Sequence, residues 1–155
     1  GNIATSELLG SLEYACAVVG SKLVVVLGHT SCGAVNAAVD LLAAAKKASE
    51  ATPCANLDGL VIEIQRAINP ATLKKPDQWS PGEKAAYTNE ISRLNVLQTI
   101  QTIRKRSSTL NKLVEEGKIA IVGALYDVTS GEVSFFQTAE SSIAKLNVPM
   151  ATLAA

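Results

Sequence analysis

The sequence predicts an α/β fold built on a short parallel sheet. Two runs of Val, Ile and Leu without polar alternation, residues 22–28 and 119–125, are typical of parallel strands covered on both faces. A tight turn and an Ala-rich helical segment follow the first run, which is half of a strand–helix–strand unit. A turn at residues 127–131 then returns the chain as 132–136, so we expect an antiparallel edge hairpin with the second run.

Apolar residues at helical spacing predict helices around these strands. The predicted helical segments are residues 5–19, 33–48, 57–68, 84–106 and 110–117. Gly20 follows the first as a C′ residue, and Asn69-Pro70 stops the third. The stretch 69–82 holds three prolines and the only tryptophan, Trp79, which predicts a covering loop or an arm against a partner. We favour packing of Trp79 on its own domain, and we expect the weakly patterned last eighteen residues to wrap or fray.

The composition is typical of one apolar globular domain, which we assign to the whole chain, residues 1–155. Lys plus Arg and Asp plus Glu both number 14, so no charge excess attracts nucleic acid or an anionic membrane. No apolar stretch approaches the roughly 20 residues that a membrane-spanning helix needs. Three strands are few for an α/β domain of 155 residues, and we expect one or two more upstream of Gly1.

The three cysteines, Cys16, Cys32 and Cys54, do not suggest a disulfide framework, because their number is odd. Metal or thiol chemistry in a reducing compartment fits them better, and the chain given shows no signal-peptide pattern, so we expect a cytoplasmic location. Cys16 lies on the apolar stripe of the first helix and is expected in the core, whereas Cys54 lies in a loop.

The residues with chemical potential lie where the first strand ends. Residues 24–34 have the sequence VVVLGHTSCGA, with the only histidine, His29, three positions before Cys32. Imidazole and thiolate are zinc ligands, and open α/β sheets place their sites at the carboxyl ends of strands. We expect Gly28 and Gly33 to let the backbone approach a metal or substrate closely. The spacing alone favours metal binding no more than a buried histidine beside an inert cysteine.

A zinc site needs more ligands than this turn supplies. A structural site has four protein ligands, and a catalytic site has three and an open position. Cys16 and Cys54 are the candidates to complete the set, although one belongs to a core stripe and the other to a distant loop. A small structural zinc or thiol protein that uses His29 and all three cysteines is therefore one hypothesis.

Several segments resemble the β-class carbonic anhydrases. They are residues 11–15 (SLEYA), residues 22–35 with their GH-x-x-CGA core, and residues 119–136 with GALYD and TSG. Gly1-Asn2 resembles the end of that family's Arg-Asn-Ala-Gly-Asn segment. The resemblance implies a β-carbonic-anhydrase-like parallel sheet with an antiparallel edge hairpin and flanking helices, whose N-terminal strands are missing from this chain.

The resemblance also implies a site and an activity. His29 and Cys32 are then two of the three protein ligands of a zinc ion, Zn2+, that catalyses the reversible hydration of carbon dioxide to bicarbonate and a proton. In the family the third ligand belongs to a Cys-x-Asp-x-Arg motif on an earlier strand. The Asp and Arg of that motif orient the zinc-bound water, or in some members the Asp caps the metal. We expect this motif upstream of Gly1, and no catalytic residue is assigned in this chain.

Two further expectations follow from the resemblance. The family forms dimers, and the apolar edge strand at residues 133–136 suits a homodimer or a higher even oligomer. The alternative function is a non-catalytic carbonic-anhydrase-like domain that binds bicarbonate or regulates a fused anion transporter. Whether a Cys-x-Asp-x-Arg motif precedes this chain distinguishes the two functions.

Overall fold

A computed structural model describes residues 2–136, with the side chain of Pro76 excepted. The strands are β1 (Leu23–His29), β2 (Ala120–Tyr126) and β3 (Val133–Phe135). The α-helices are α1 (Ser6–Glu13), α2 (Gly33–Ala43), α3 (Ala48–Ala51), α4 (Leu57–Gln65), α5 (Pro81–Arg106) and α6 (Ser108–Glu115). The prediction for the last eighteen residues lies outside the described range. Within that range, no helix is long and apolar enough to cross a membrane.

The strands form one mixed sheet in the order β1-β2-β3. β1 and β2 pair in parallel, with Leu23 opposite Ala120 and His29 opposite Tyr126. β2 and β3 pair in antiparallel fashion over three residues. Each strand begins one residue later than the sequence predicts, and the predicted fold class, a parallel sheet with an antiparallel edge hairpin, is confirmed.

The hairpin between β2 and β3 is held by its own polar residues. The Asp127 carboxylate accepts hydrogen bonds from the backbone N–H groups of Ser130 (2.9 Å) and Thr129 (2.8 Å), and these bonds lower the pKa of Asp127. Gly131 has a φ of 78°, which glycine adopts without steric cost. The predicted turn at residues 127–131 is therefore present, and it lies beside the end of β1.

Helix α5 packs on one face of the sheet through a very close contact at Val96. A Cβ on Gly28 of β1 would lie 2.7 Å from Val96 Cγ2, and one on Gly123 of β2 would lie 2.9 Å from Val96 Cγ1. Gly28 therefore leaves room for Val96, and Gly123 leaves room for both Val96 and the Phe136 ring, whose Cδ2 a Cβ would approach to 2.7 Å. The expected role of Gly28 in letting the backbone approach a metal or substrate stays a prediction. A Cβ on Gly33 would meet no described atom within 4 Å, so its role stays a prediction.

β1 is covered on one face only within the described residues. Val24 and Val26 are buried in the cluster beneath α5, whereas Leu23, Val25 and Leu27 are 43%, 42% and 46% exposed. The prediction of a strand covered on both faces is thus wrong for β1, because α5 packs on the Val24 and Val26 side alone. It holds for β2, whose residues from Ala120 to Ala124 are all buried.

The first three predicted helices differ in detail from those in the structure. The segment 5–19 is α1 followed by a π-helix, Tyr14–Val19, and the helix predicted to reach residue 68 ends at Gln65. α2 ends at Ala43 instead of residue 48, since Ala45 has a φ of 52° and the Lys46 N–H donates to the Leu41 carbonyl (2.9 Å). Glycine usually occupies this position in a helix C-terminus, so an alanine there gave no sign in the sequence.

α5 begins at Pro81, earlier than the predicted residue 84. Ser80 caps it: its hydroxyl accepts from the Glu83 N–H (3.3 Å), and the Glu83 carboxylate accepts from the Ser80 N–H (3.0 Å). Hydrogen bonds from Lys74 and Ser80 lower the pKa of Glu83 to about 2. This network fixes the start of the helix that packs on the sheet.

Trp79 packs on its own domain, as the sequence predicts. Its ring centroid lies 4.8 Å from that of Tyr87 on α5, and its indole N–H donates to the Lys74 carbonyl (3.3 Å). The stretch 69–82 is otherwise irregular, with two short 3₁₀ turns at Pro70–Thr72 and Pro76–Gln78. It covers the first turns of α5.

Replacing Gly28 with alanine tests the close contact at Val96. Val96 is fully buried and β-branched, so it cannot rotate away from the new methyl group, and overpacking costs about 1–3 kcal/mol. We expect Gly28→Ala to lower the free energy of unfolding in urea by that amount. Gly10→Ala is the matched control, because its Cβ would meet nothing within 4 Å and alanine favours the helix interior. Equal effects of the two changes would contradict the role of Gly28.

Candidate metal centre

β1 places His29 at the end of the sheet, where the chain turns through Thr30 and Ser31 into α2. His29 is exposed, and Cys32, only 6% exposed, is the residue before the first turn of α2. Both line one open cavity of about 260 Å³, together with Asn2, Leu27, Val35 and Ser92. The structure therefore brings the two predicted ligands to the same cavity at the carboxyl end of a parallel strand.

The two ring nitrogens of His29 differ in their contacts: among the described residues, only Nδ1 has a hydrogen-bond partner. His29 Nδ1 lies 2.9 Å from the Thr30 carbonyl oxygen, which only accepts hydrogen bonds, so Nδ1 is the protonated nitrogen. In the neutral ring Nε2 then carries the lone pair. Histidine ligands commonly donate their other N–H to a backbone carbonyl in this way. The alternative of a buried histidine is wrong, since the residue is exposed.

Cys32 makes no side-chain hydrogen bond to the helix that follows it. Its carbonyl accepts the Asn36 N–H (2.9 Å), which starts α2, while the side chain is buried at the cavity. A thiol and an imidazole are donors that zinc takes together. The residues present thus fit a zinc ion as two of its ligands.

The turn between the two ligands is tied to two other elements. The Thr30 N–H donates to the Tyr126 carbonyl (2.9 Å), and the Thr30 hydroxyl accepts from the Val128 N–H (3.1 Å). On the other side, the Ser31 N–H donates to Asn89 Oδ1 on α5 (3.0 Å). These hydrogen bonds could not be predicted from the sequence, because they join residues that are far apart in the chain and follow no regular spacing.

No third ligand completes the site within residues 2–136, where no group of three or more His, Cys, Asp or Glu residues is placed to hold a metal. Cys16 is buried in the hydrophobic cluster between α1 and the sheet, as predicted, and burial raises the pKa of its thiol. Cys54 is exposed in the loop before α4. The structural zinc hypothesis that joins these cysteines to His29 and Cys32 is therefore wrong for the described structure.

Asn2 adds an unusual polar group to the cavity. Its side-chain Nδ2 is buried and has no hydrogen-bond partner within the described structure, while its backbone carbonyl accepts from the Thr99 hydroxyl (2.5 Å). Ser92, the polar residue of the lining besides Asn2 and the two predicted ligands, donates its hydroxyl to the Thr88 carbonyl (3.1 Å). A buried amide donor without an acceptor is costly and rare, so Asn2 Nδ2 is a candidate to bind a further polar group.

Comparison with known proteins identifies the family to which this chain belongs. A model of the carbonic anhydrase family matches residues 1–133. Carbonic anhydrase 2 of Mycobacterium tuberculosis is 34% identical over 131 residues, covering 84% of this chain and 56% of the relative. A carbonic anhydrase of Mycolicibacterium smegmatis is 32% identical over 135 residues, covering 86% and 58%. The chain belongs to the β-carbonic anhydrase family, and it spans little more than half the length of these relatives.

Solved β-carbonic anhydrases share the fold. CafA of Aspergillus fumigatus aligns with a TM-score of 0.67 at 20% identity, over 94% of this chain and 66% of that chain. The Coccomyxa enzyme in complex with acetazolamide aligns with a TM-score of 0.64 at 19% identity, over 83% and 53%. These structures show the shared fold, and the family model and the relatives confirm the resemblance drawn from the GH-x-x-CGA core.

The burial of the three cysteines predicts their reactivity. Cys54 is exposed, whereas Cys16 and Cys32 are each 6% exposed, so one thiol is open to reagents in the folded protein. We expect a chromogenic disulfide reagent to modify one thiol quickly and two slowly under native conditions. Cys54→Ser should remove the fast phase, and Cys16→Ser should leave it intact. A fast phase that survives in Cys54→Ser would contradict the placement of these residues.

Proposed function

We propose that His29 and Cys32 are two protein ligands of the catalytic zinc ion of a carbonic anhydrase. The reaction is the interconversion of carbon dioxide and bicarbonate with release or uptake of a proton. The observation that carries the proposal is that both residues line one cavity at the end of β1. His29 Nδ1 is bonded to a carbonyl, and Nε2 has no hydrogen-bond partner among residues 2–136. Membership of the family supports it.

The residues around the cavity have separable tasks in this proposal. Zinc, when bound, is a Lewis acid that lets water ionise near neutral pH. The Thr30 carbonyl orients the His29 ring, and Leu27 and Val35 give the cavity an apolar wall suited to carbon dioxide. Asn2 offers a buried N–H donor that suits an oxygen of bicarbonate or of a neighbouring backbone.

We further propose that the third ligand and the Asp–Arg pair come from a Cys-x-Asp-x-Arg segment outside this chain. The support is the lack of a third ligand among residues 2–136 and the partial coverage of the relatives. β1 is also an edge strand of the described sheet, where another strand would extend it, and its face bearing Leu23, Val25 and Leu27 is exposed. The comparisons give no support to the alternative of a non-catalytic domain.

A reducing, cytoplasmic location is part of the proposal. Cys16, Cys32 and Cys54 are all free thiols, and a zinc ligand such as Cys32 must stay reduced to bind. Recovery of the native protein from an oxidising, exported fraction with its cysteines paired would contradict this location.

Metal analysis and kinetics on the protein extended by its upstream segment test the zinc proposal. We expect about one zinc ion per chain and carbon dioxide hydration in stopped flow. Cys32→Ser and His29→Gln should each lose metal and activity, because a catalytic zinc does not hold with two protein ligands. Cys54→Ser is the matched control and should keep both. An extended protein that holds zinc through His29 and Cys32 but does not hydrate carbon dioxide would contradict the enzymatic function.

We also propose a homodimer or a higher even oligomer. β3 ends the described sheet with Val133 46% and Phe135 52% exposed, and such an apolar edge favours pairing with another chain. The β-carbonic anhydrases of Sordaria macrospora with this fold (TM-score 0.66, 18% identity, 87% of this chain and 63% of that chain) are described as tetrameric.

The oligomeric state is measured by light scattering coupled to size exclusion. We expect a mass of at least twice the 16.2 kDa of this chain, and Phe135→Glu should shift it toward the monomer, since a buried charge at the edge is costly. Val128→Glu, at an exposed position of the hairpin turn, is the control. A single 16.2 kDa species for the unmodified chain would contradict the proposal.

A further inference from the structure

Ser31, between the two proposed ligands, has a backbone conformation that residues other than glycine seldom adopt. Its φ is 54°, and Ala45 is the other non-glycine residue of the described chain with positive φ. Ala45 ends a helix, where this conformation is common, but Ser31 lies in a turn that must bring His29 and Cys32 to one cavity. A backbone conformation of this kind persists only when contacts with neighbouring residues stabilise it.

The Asn89 side chain holds Ser31 from a distant part of the chain. Asn89 Oδ1 accepts the Ser31 N–H at 3.0 Å across a separation of 58 residues. The amide oxygen is the only atom of that side chain able to accept this bond, so its orientation is fixed by chemistry. Asn89 lies on α5, whose distance from β1 is set by the contact of Val96 with Gly28.

We propose that Asn89 is a positioning residue for the metal site. By accepting the Ser31 N–H it keeps the turn in the left-handed conformation that directs His29 and Cys32 to the same ion. Thr30 fixes the turn to β2 and the hairpin, and Asn89 fixes it to α5, so the two ligands are held between sheet and helix. This role rests on the zinc proposal above.

The surroundings of this bond make a direct test practical. Ser31 and Asn89 line a second cavity of about 290 Å³, apart from the one lined by His29 and Cys32. Ser31 is exposed there and Asn89 is half-buried, so water can reach the Ser31 N–H when the asparagine side chain is removed. An alanine variant therefore keeps its fold and loses only the restraint on the turn.

The test uses the extended protein loaded with Co2+ and compares Asn89→Ala with Asn89→Asp, which keeps an accepting oxygen. We expect Asn89→Ala to weaken cobalt binding about tenfold and to reduce the thiolate-to-cobalt absorption band, with the unfolding midpoint little changed. Asn89→Asp should retain both. Asn111→Ala on α6 is the matched control, since its hydrogen bonds to Arg104 and Glu115 lie away from the turn.

A second-site change separates positioning from a general structural role. Glycine adopts positive φ freely, so Ser31→Gly added to Asn89→Ala should recover most of the cobalt affinity.

In the metal-free protein, hydrogen exchange of the Ser31 amide should be faster in Asn89→Ala than in the unmodified protein.

The failures of the two proposals are distinguishable. Unmodified protein that takes up no cobalt through His29 and Cys32 overturns the zinc site, and the positioning role with it. If the unmodified protein binds cobalt and Asn89→Ala binds it equally well, the positioning role alone is overturned. Failure of both Asn89→Asp and the Ser31→Gly addition to restore affinity overturns it as well.

Discussion

The distance between helix α5 and the sheet is the constraint on which the rest of the structure depends. Val96 fills space that side chains on Gly28 and Gly123 would occupy, so its side chain lies directly against the backbone of both central strands. The same helix carries Ser92 into the wall of the cavity and Asn89 to the turn between the proposed ligands. Through this packing, Gly28, one residue before His29, helps to set the position of the candidate metal site.

Much of this architecture could be predicted from the sequence, because the signals that specify it lie in short stretches of neighbouring residues. Unbroken aliphatic runs and a turn rich in Asp, Ser and Gly gave β1, β2 and the hairpin to within one residue at their starts, because these signals depend on neighbouring residues. The motif that contains His29 and Cys32 is likewise a short continuous segment of the chain. Its placement at the carboxyl end of β1 follows from strand order and the reversal into α2.

What the sequence could not supply depends on long-range contacts. The hydrogen bond from Ser31 to Asn89 joins residues 58 positions apart, and no periodic pattern in the sequence predicts it. The one-sided burial of β1 was also missed, since a run of Leu and Val is equally compatible with one covered face or two until the packing of α5 is known. The early end of α2 at Ala43 depends on an alanine in a conformation that its identity does not suggest.

The central claim is that His29 and Cys32 bind the same zinc ion, and X-ray absorption at the zinc edge of the extended protein tests it most directly. The account predicts a four-coordinate zinc with sulfur scatterers at about 2.3 Å and an imidazole nitrogen at about 2.0–2.1 Å. Cys32→Ser and His29→Gln should each retain too little zinc to give this shell, because a catalytic zinc does not hold with two protein ligands. A zinc shell of oxygen and nitrogen atoms alone, unchanged by either substitution, would contradict the account.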